Sequence, residues 1–112
     1  MLGKIVNVVI DRPLGSRHPA YPDCVYQLNY GYVPGVLAGD GEEQDVYILG
    51  IAEPLKDFTG RIIGVVRRKD DNEDKFVAAP EGMIFRSEQI RKEIDFVEKY
   101  FDSTIFSLYD GV

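Results

Sequence analysis

The sequence predicts a mainly β protein with one or two helices, an α+β chain that forms a small closed or nearly closed β-barrel. Short runs of β-branched and aromatic residues alternate with turn segments rich in Gly, Pro and Asp. One clear helical pattern follows most of the strands, and this order favours a barrel. With 112 residues, 45% of them apolar, the chain is expected to form a single domain, 1–112, around a modest core.

The first strand is predicted over residues 4–10, and it ends at Asp11-Arg12-Pro13 because proline cannot continue a central ladder. Residues 14–23 contain one Gly, two Pro, Ser and Asp, and they are predicted to form a loop. Further strands are predicted at 46–51, 61–67 and 75–79, separated by a polar connection at 53–60 and a charged hairpin loop at 68–74.

The helix is predicted from residue 88 to 101, with Ser87 as its N-cap. Its buried stripe is expected to consist of apolar residues at helical spacing: Ile90, Ile94, Val97 and Phe101. Tyr100 lies about 80° round the helix from the centre of that stripe, so its phenol can point along the barrel rim. Residues 104–109 are expected to add one edge strand.

Charge and composition exclude several classes of function. The net charge of −6 argues against nucleic acid and against anionic membranes as partners, because both require a basic face. The first residues do not resemble a signal peptide and no apolar run approaches the roughly 20 residues that span a bilayer, so neither a leader nor a membrane span is expected. Its only cysteine, Cys24, is compatible with a reducing compartment, so a cytoplasmic location is expected.

The stretch from 26 to 45 has the composition of a metal and phosphate site. Six consecutive positions hold three of its carboxylates: Asp40, Glu42 and Asp45. Three tyrosines precede them: Tyr26, Tyr30 and Tyr32. Clustered carboxylates repel one another unless a cation lies among them, and phenols can donate hydrogen bonds to an anion that the cation brings in. The alternative interpretation is a solvated acidic turn followed by a buried strand.

The same stretch resembles the signature region of the family I soluble inorganic pyrophosphatases. Residues 26–34 read Tyr-Gln-Leu-Asn-Tyr-Gly-Tyr-Val-Pro, and residues 40–46 read Asp-Gly-Glu-Glu-Gln-Asp-Val. Glu42 and Glu43 stand where the family has Asp and Pro. The resemblance covers roughly residues 4–101, and it implies the barrel of that family and Mg²⁺-dependent hydrolysis of pyrophosphate, with Mn²⁺ as an alternative metal. A reduced member that binds metal and phosphate or a nucleotide without efficient turnover is the second alternative, and a purely structural or partner-binding barrel is the third.

The resemblance also implies roles for individual residues. The implied metal ligands are Asp11, Asp40, Glu42, Asp45, Asp70 and one of Glu73 and Asp74. Glu42 is implied as the general base, with Asp45 as the second catalytic carboxylate. Tyr30, Lys75 and Tyr100 are implied to bind the substrate. Members of the family assemble into oligomers, so the resemblance implies a homo-oligomer unless the shorter segments of this chain remove the interfaces.

Two departures from the family remove positive charge from the implied site. Residues 14–23 span about half of an interval in which the family carries a Lys and an Arg that contact phosphate. Phe101 also stands where the family has Lys, and Lys99 is a candidate to replace it. Three nearby residues can supply the other missing charge: Arg12, Arg17 and His18. Among these, Arg17 is preferred to His18 as the substrate contact, because an Arg fork suits phosphate oxygens.

Overall fold

A computed structural model of the protein describes residues 1–69 and 74–111 and contains strands in a single sheet together with one helix. The strands are β1 (Ile5–Arg12), β2 (Asn29–Leu37), β3 (Glu43–Ile48), β4 (Asp57–Arg68), β5 (Asp74–Ala79) and β6 (Ser103–Ser107), and the helix α1 (Ser87–Glu98) lies between β5 and β6. No helix in this part of the chain has the length and apolar character to cross a bilayer.

The sheet closes on itself. The strand order is β1-β2-β3-β5-β4-β6, and a further pairing of β1 with β4 joins the two sides into a barrel of the first five strands. Neighbouring strands are antiparallel except β3 and β5, which run parallel. The two halves of β4 have different partners: residues 57–61 pair with β1 and close the barrel, and residues 64–68 pair with the edge strand β6. The prediction of a mainly β chain that forms a small barrel is confirmed.

Alternate residues of each strand face two different apolar cores. One core, inside the barrel, includes Ile10, Val46 and Ile48. The second core lies on the outer face of the sheet and includes Tyr47, Val77 and the helix residue Ile90. The helix α1 therefore covers one outer face of the barrel, and side chains with the parity of Tyr47 on β3 or Val77 on β5 point towards it.

The largest error of the sequence-based prediction is β2, which was not predicted as a strand. Gly31, Pro34 and Gly35 lower the strand propensity of this segment, and the pairing of β2 with β3 is irregular between Val33 and Leu37. β4 is also longer than predicted, since its first residues belong to the segment that was interpreted as a polar connection. The predicted edge strand at 104–109 corresponds to β6.

The helix differs from its prediction at both ends. Arg86, not Ser87, is the N-cap. The backbone N–H of Arg86 donates a hydrogen bond of 2.8 Å to the side-chain oxygen of Gln89. The helix ends at Glu98, so Phe101 lies beyond it and is 44% exposed. Its buried residues are Ile90, Ile94 and Glu98, whereas Val97 is only partly buried.

Candidate active site

A cavity of about 930 Å³ opens between the C-terminal end of α1, the loop after β1 and the outer face of the sheet. Strand residues line its floor, and residues 18–27 and 96–101 line its sides. The charged and phenolic residues in its wall are Asp11, Arg12, Tyr21, Asp23, Tyr26, Tyr30, Asp45, Tyr47, Arg68, Lys75, Lys99 and Tyr100. Carboxylates, cations and phenols therefore meet in one cavity.

An ion pair between Asp45 and Lys75 lies at the centre of this arrangement. The parallel register that places Val46 opposite Phe76 makes Asp45 and Lys75 neighbours on β3 and β5, with the parity that faces the cavity. The Nζ atom of Lys75 lies 2.5 Å from Oδ2 of Asp45, and the Lys75 side chain is only 6% exposed. A lysine so deeply buried requires a compensating negative charge, and Asp45 supplies it.

Tyr30 packs beside this ion pair. Its ring centroid lies 6.0 Å from the Nζ atom of Lys75 and 5.0 Å from the ring of Tyr47. Burial, reinforced by the negative charge of Asp45, raises the pKa of Tyr30 far above its ordinary value. The phenol therefore keeps its proton at every physiological pH and is available as a hydrogen-bond donor.

Asp11 provides a second carboxylate in the same cavity. It occupies an irregularity in the pairing of β1 with β2, where the register passes from Ile10 directly to Arg12. Desolvation raises the pKa of Asp11, the adjacent Arg12 opposes this shift, and Asp45 adds to it. Asp11 and Asp45 are therefore close enough to interact electrostatically.

Arg12 lies beside these carboxylates. Its Nη1 atom donates a hydrogen bond of 2.7 Å to the phenol oxygen of Tyr26. Its guanidinium carbon lies 5.8 Å from the ring centroid of Tyr26 and 5.5 Å from that of Tyr30. Burial alone would lower the pKa of Arg12, but the hydrogen bond from Arg12 to Tyr26 and the nearby oxygens raise it, so the side chain remains charged.

A buried charged cluster that the sequence analysis did not identify lies behind the cavity. Glu98 is fully buried and accepts a hydrogen bond of 2.5 Å from the Tyr47 hydroxyl. Arg68 binds both of its oxygens, with distances of 3.1 Å from Nε to Oε1 and 2.7 Å from Nη2 to Oε2. The Arg68 guanidinium also lies 3.7 Å from the ring centroid of Phe101.

A signal for this cluster was present in the sequence. Glu98 follows Ile94 by four residues, so it continues the apolar stripe of α1 with a charged side chain. A glutamate at such a position has to find a buried cation or hydrogen-bond donor. Burial and the carboxylate of Glu98 raise the pKa of Tyr47 well above its ordinary value, which keeps that hydrogen bond intact.

Asn29, in the middle of the 26–34 motif, has a structural role because its side chain hydrogen-bonds to the backbone of two loops. It is fully buried, and its Oδ1 atom accepts backbone hydrogen bonds of 3.0 Å from both Leu14 and Leu55. Its amide nitrogen donates to the carbonyl oxygen of Glu53 at 2.9 Å. Asn29 thus ties the loops after β1 and β3 to the start of β2, below the cavity.

The structure does not bring Asp40 and Glu42 to Asp45. Both lie in the exposed turn between β2 and β3, where Oδ1 of Asp40 accepts a hydrogen bond of 3.0 Å from the backbone N–H of Glu42. Neither residue lines the cavity. Within residues 1–69 and 74–111, no three His, Cys, Asp or Glu side chains are grouped so that they could hold a metal ion.

Several other predicted site residues lie away from the cavity or outside the described part of the chain. Asp74 directs its carboxylate to Arg67, with Oδ2 at 3.2 Å from Nη2, and it does not line the cavity. Asp70 and Glu73 lie outside the described residues. Arg17 donates a hydrogen bond of 2.8 Å to the carbonyl oxygen of Pro22 in the exposed loop and is likewise absent from the cavity wall.

The mouth of the cavity is aromatic. Tyr100 is 71% exposed and lies at this mouth, and the Nζ atom of Lys99 lies 5.3 Å from its ring centroid. On the opposite side, the His18 ring stacks on Tyr26 with the centroids 6.1 Å apart. Burial and then the charge of Arg12 lower the pKa of His18, so this histidine adds little positive charge at neutral pH.

Together these features define a small β-barrel with a cavity in which carboxylates, cations and protonated phenols lie close together. The family model described as inorganic pyrophosphatase matches residues 8–105 of the chain. An inorganic pyrophosphatase of Neisseria meningitidis is 36% identical over 98 residues, which cover 70% of this chain and 55% of that protein. One from Xanthomonas campestris is 32% identical over 128 residues, which cover 94% of this chain and 70% of that protein.

A solved structure supports the same relationship at the level of the fold. The crystal structure of an inorganic pyrophosphatase from Ehrlichia chaffeensis superimposes with a TM-score of 0.72 at 19% identity, covering 96% of this chain and 88% of that chain. The chain belongs to the inorganic pyrophosphatase family. It spans about half of the length of the Neisseria relative, at 55%.

Proposed function

We propose that this protein hydrolyses inorganic pyrophosphate to two phosphates with the help of Mg²⁺. Its membership of the inorganic pyrophosphatase family supports this reaction. The observation that carries the proposal is that one cavity contains the ion pair of Asp45 and Lys75, a second carboxylate from Asp11 and the protonated phenol of Tyr30. Such a cavity offers oxygen ligands to a cation and hydrogen-bond donors to an anion.

The donor set fits a hard divalent cation. Among the described residues, Asp11 and Asp45 are the carboxylates that would hold Mg²⁺, or Mn²⁺ as the alternative. By resemblance, Asp70 and one of Glu73 and Asp74 are proposed as further ligands. In the sequence they lie between Arg68 and Lys75, which both line the cavity. When bound, the metal would acidify a water molecule and neutralise charge on the pyrophosphate.

The protein's own side chains would bind and orient the anion. Lys75 would exchange part of its interaction with Asp45 for a phosphate oxygen once a cation holds that carboxylate. Tyr30 would donate its phenolic proton from the cavity floor, and Tyr100 would do so from the mouth. Phe96 contributes an apolar ring to the same wall.

The proposed general base is either Glu42 or Asp45. Asp45 already lies in the cavity, whereas Glu42 can act only if the turn between β2 and β3 brings its carboxylate there. A Glu42→Gln variant separates the two assignments. Loss of activity in that variant assigns the base to Glu42 and requires the turn to move, and retained activity assigns it to Asp45.

The second candidate function is binding of metal and phosphate, or of a nucleotide, without efficient turnover. The exposed positions of Asp40 and Glu42 favour it, because a cage of two or more metals needs more carboxylates than Asp11 and Asp45, and all the others would then have to come from residues 70–74. The cytoplasm is the proposed location in either case. A homo-oligomer is proposed by resemblance, and light scattering of the purified protein would test it.

The deciding experiment measures phosphate release from pyrophosphate with Mg²⁺, with Mn²⁺ and with EDTA, for the wild type, Asp45→Asn and Asp95→Asn. Asp95 is an exposed helix residue, so its variant makes the same chemical change outside the cavity. We expect metal-dependent release that falls on the order of 100-fold in Asp45→Asn and is unchanged in Asp95→Asn. A thermal melt of each variant confirms that it is folded at the assay temperature.

Electron paramagnetic resonance of Mn²⁺ completes this experiment. Mn²⁺ that binds without any phosphate release would support the binding function and overturn the hydrolase. Equal release by Asp45→Asn and by the wild type would overturn the assignment of Asp45 even if the protein is a pyrophosphatase.

A further inference from the structure

We propose that Arg12 is a phosphate-binding residue of the cavity. Its guanidinium, beside the rings of Tyr26 and Tyr30, would bind an anionic oxygen. The inference rests on the proposed function in one respect, since it takes phosphate or pyrophosphate as the anion. Four observations carry it: the direction of the side chain, its fixed position, its unneutralised charge and the position of the rival arginine.

The irregularity in β1 turns Arg12 towards the cavity. In a regular strand Arg12 would have the parity of Ile10, whose side chain lies in the core inside the barrel. The register instead passes from Ile10 opposite Gly31 to Arg12 opposite Tyr30, with Asp11 as the extra residue. A bulge of this kind reverses the parity of the residues after it and re-aims a side chain. Arg12 therefore shares the outer face with its cross-strand partner Tyr30.

The side chain of Arg12 is held in place before any ligand arrives. One N–H group donates to the Tyr26 hydroxyl at 2.7 Å, and the guanidinium plane is flanked by the rings of Tyr26 and Tyr30. These contacts occupy one of the five N–H donors that a guanidinium carries. A positioned arginine loses little rotamer freedom when it binds an anion, so more of the contact energy appears as affinity.

Arg12 also differs in its charge balance from Lys75 and Arg68, the two cavity cations that are more deeply buried. Lys75 is paired with Asp45, and Arg68 is paired with the buried Glu98. Within the described part of the chain, Arg12 has no carboxylate oxygen within the 4.0 Å of an ion pair, and its polar partner is a neutral phenol. A half-buried guanidinium that lacks an ion pair is a site for an incoming anion.

The carboxylates that face Arg12 do not prevent this contact. Asp11 lines the same cavity, but no ion pair in the described part of the chain joins it to Arg12, and the negative charge of Asp45 is balanced by Lys75. Arg12 and Lys75 approach the same Tyr30 ring, at 5.5 Å and 6.0 Å from its centroid. An anion with several oxygens above this ring would therefore find a cation from β1 and a cation from β5.

Arg17, which the sequence analysis favoured for this role, lies elsewhere. Its guanidinium donates to the carbonyl oxygen of Pro22 in the exposed loop. Arg12 lines the cavity and Arg17 does not, although the two arginines are only five positions apart. Each can be removed individually, which allows a direct comparison.

The experiment measures binding of inorganic phosphate and of pyrophosphate by calorimetry and by ³¹P line broadening, with and without Mg²⁺, for four variants. Arg12→Met removes the charge from the cavity, and Arg12→Lys keeps the charge but loses the planar fork. Arg17→Met removes the rival arginine. Lys92→Met removes one charge from the exposed face of α1 and controls for net charge. Thermal melts of all variants establish that they are folded.

We expect Arg12→Met to weaken phosphate binding by about 10- to 100-fold, the effect of one charged hydrogen bond. Arg12→Lys should retain part of the affinity, because a lysine is a point charge without the fork. Lys92→Met should bind as the wild type does. In the hydrolysis assay, Arg12→Met should raise KM for the metal–pyrophosphate complex more than it lowers kcat.

The outcomes separate this proposal from the proposed function. Wild-type phosphate binding that is lost in Arg12→Met, in a protein without hydrolysis, supports Arg12 and overturns the hydrolase. Hydrolysis with an unchanged KM in Arg12→Met overturns Arg12 and leaves the hydrolase standing. Loss of binding only in Arg17→Met also overturns Arg12, and a wild type that binds neither anion overturns both proposals.

Discussion

At the scale of single residues, the cavity depends on how each buried charge is balanced. Lys75 and Arg68 are balanced by carboxylates, but in different surroundings, since Asp45 is 29% exposed and Glu98 has no exposed surface. In the proposed reaction, Asp45 would therefore exchange its contact with Lys75 for a cation, and Lys75 would contact the substrate. Glu98 cannot do so without leaving a charge in the apolar core, so it fixes the end of α1 to the sheet.

We expect Glu98→Gln to lower the free energy of unfolding by about 3–5 kcal/mol, because it removes the charge of a fully buried carboxylate that forms an ion pair with Arg68. Tyr47→Phe removes a single hydrogen bond to the same carboxylate, and it should cost about 1.5–3 kcal/mol. Urea denaturation of both variants and of the double variant measures these effects. The double variant should cost less than the sum of the two, since all three side chains share one network. Equal small effects below about 0.5 kcal/mol would show that Glu98 is not held as described.

At the scale of elements, the N-terminus of α1 is stabilised from outside the helix. The backbone N–H of Ser87 donates to Oδ1 of Asp110 at 3.1 Å, and that of Ser107 donates to Oδ2 at 3.0 Å. Asp110 thereby joins the start of α1 to the end of β6. These hydrogen bonds, first from Ser87 and then from Ser107, lower the pKa of Asp110 below its ordinary value.

This lowered pKa gives the stability a defined pH dependence. Because the folded pKa is lower than the unfolded one, the stabilising effect of Asp110 is fully present above the unfolded pKa of about 3.9 and disappears as the pH falls through the folded pKa. We expect wild type to have a higher urea midpoint than Asp110→Asn at pH 7. The difference should shrink below about pH 4, whereas Asp95→Asn should show no such trend. A difference that stays constant down to about pH 2 would contradict the role of Asp110.

The strands that the sequence predicted correctly have β-branched runs, as in β1 and the second half of β4, or a short apolar run, as in β5. β2 was missed because Gly31, Pro34 and Gly35 lower its strand propensity, although the close approach of β1 requires a glycine at position 31. The helix was predicted three residues too long at its C-terminal end, because Phe101 extends the apolar period although the helix ends at Glu98.

The candidate site was predictable where it depended on a motif and unpredictable where it depended on packing. Asp11, Tyr30, Asp45 and Lys75 were identified by resemblance, and the structure places them in one cavity. Arg12 was considered only among three nearby candidates, because its direction depends on a strand irregularity that no local pattern reveals. The pairing of Arg68 with Glu98 joins residues 30 positions apart and depends on how α1 docks on the sheet.

At the scale of the whole molecule, closure of the barrel requires strands to approach one another closely. β1 pairs with β2 along one side and with β4 along the other, so any widening between β1 and β2 opens the barrel. Gly31 lies where this approach is closest. A Cβ atom at Gly31 would stand 2.0 Å from the carbonyl oxygen of Val9, a backbone atom that no rotamer change can move.

We therefore expect Gly31→Ala to lower the free energy of unfolding by about 3 kcal/mol or more, since the added methyl forces β2 away from β1. This is a large share of the roughly 5–15 kcal/mol that stabilises a domain of this size.

Gly82→Ala is the matched control, because Gly82 has a φ of +90° but no atom within 4 Å of its added Cβ. Backbone strain alone should cost that variant about 1–2 kcal/mol. Urea denaturation followed by circular dichroism measures both. Equal losses in the two variants would show that strain, and not the closeness of β1 and β2, sets the requirement for glycine. Displacement of β2 from β1 would also separate Arg12 from its cross-strand partner Tyr30. The phosphate affinity of Gly31→Ala should therefore fall together with its stability.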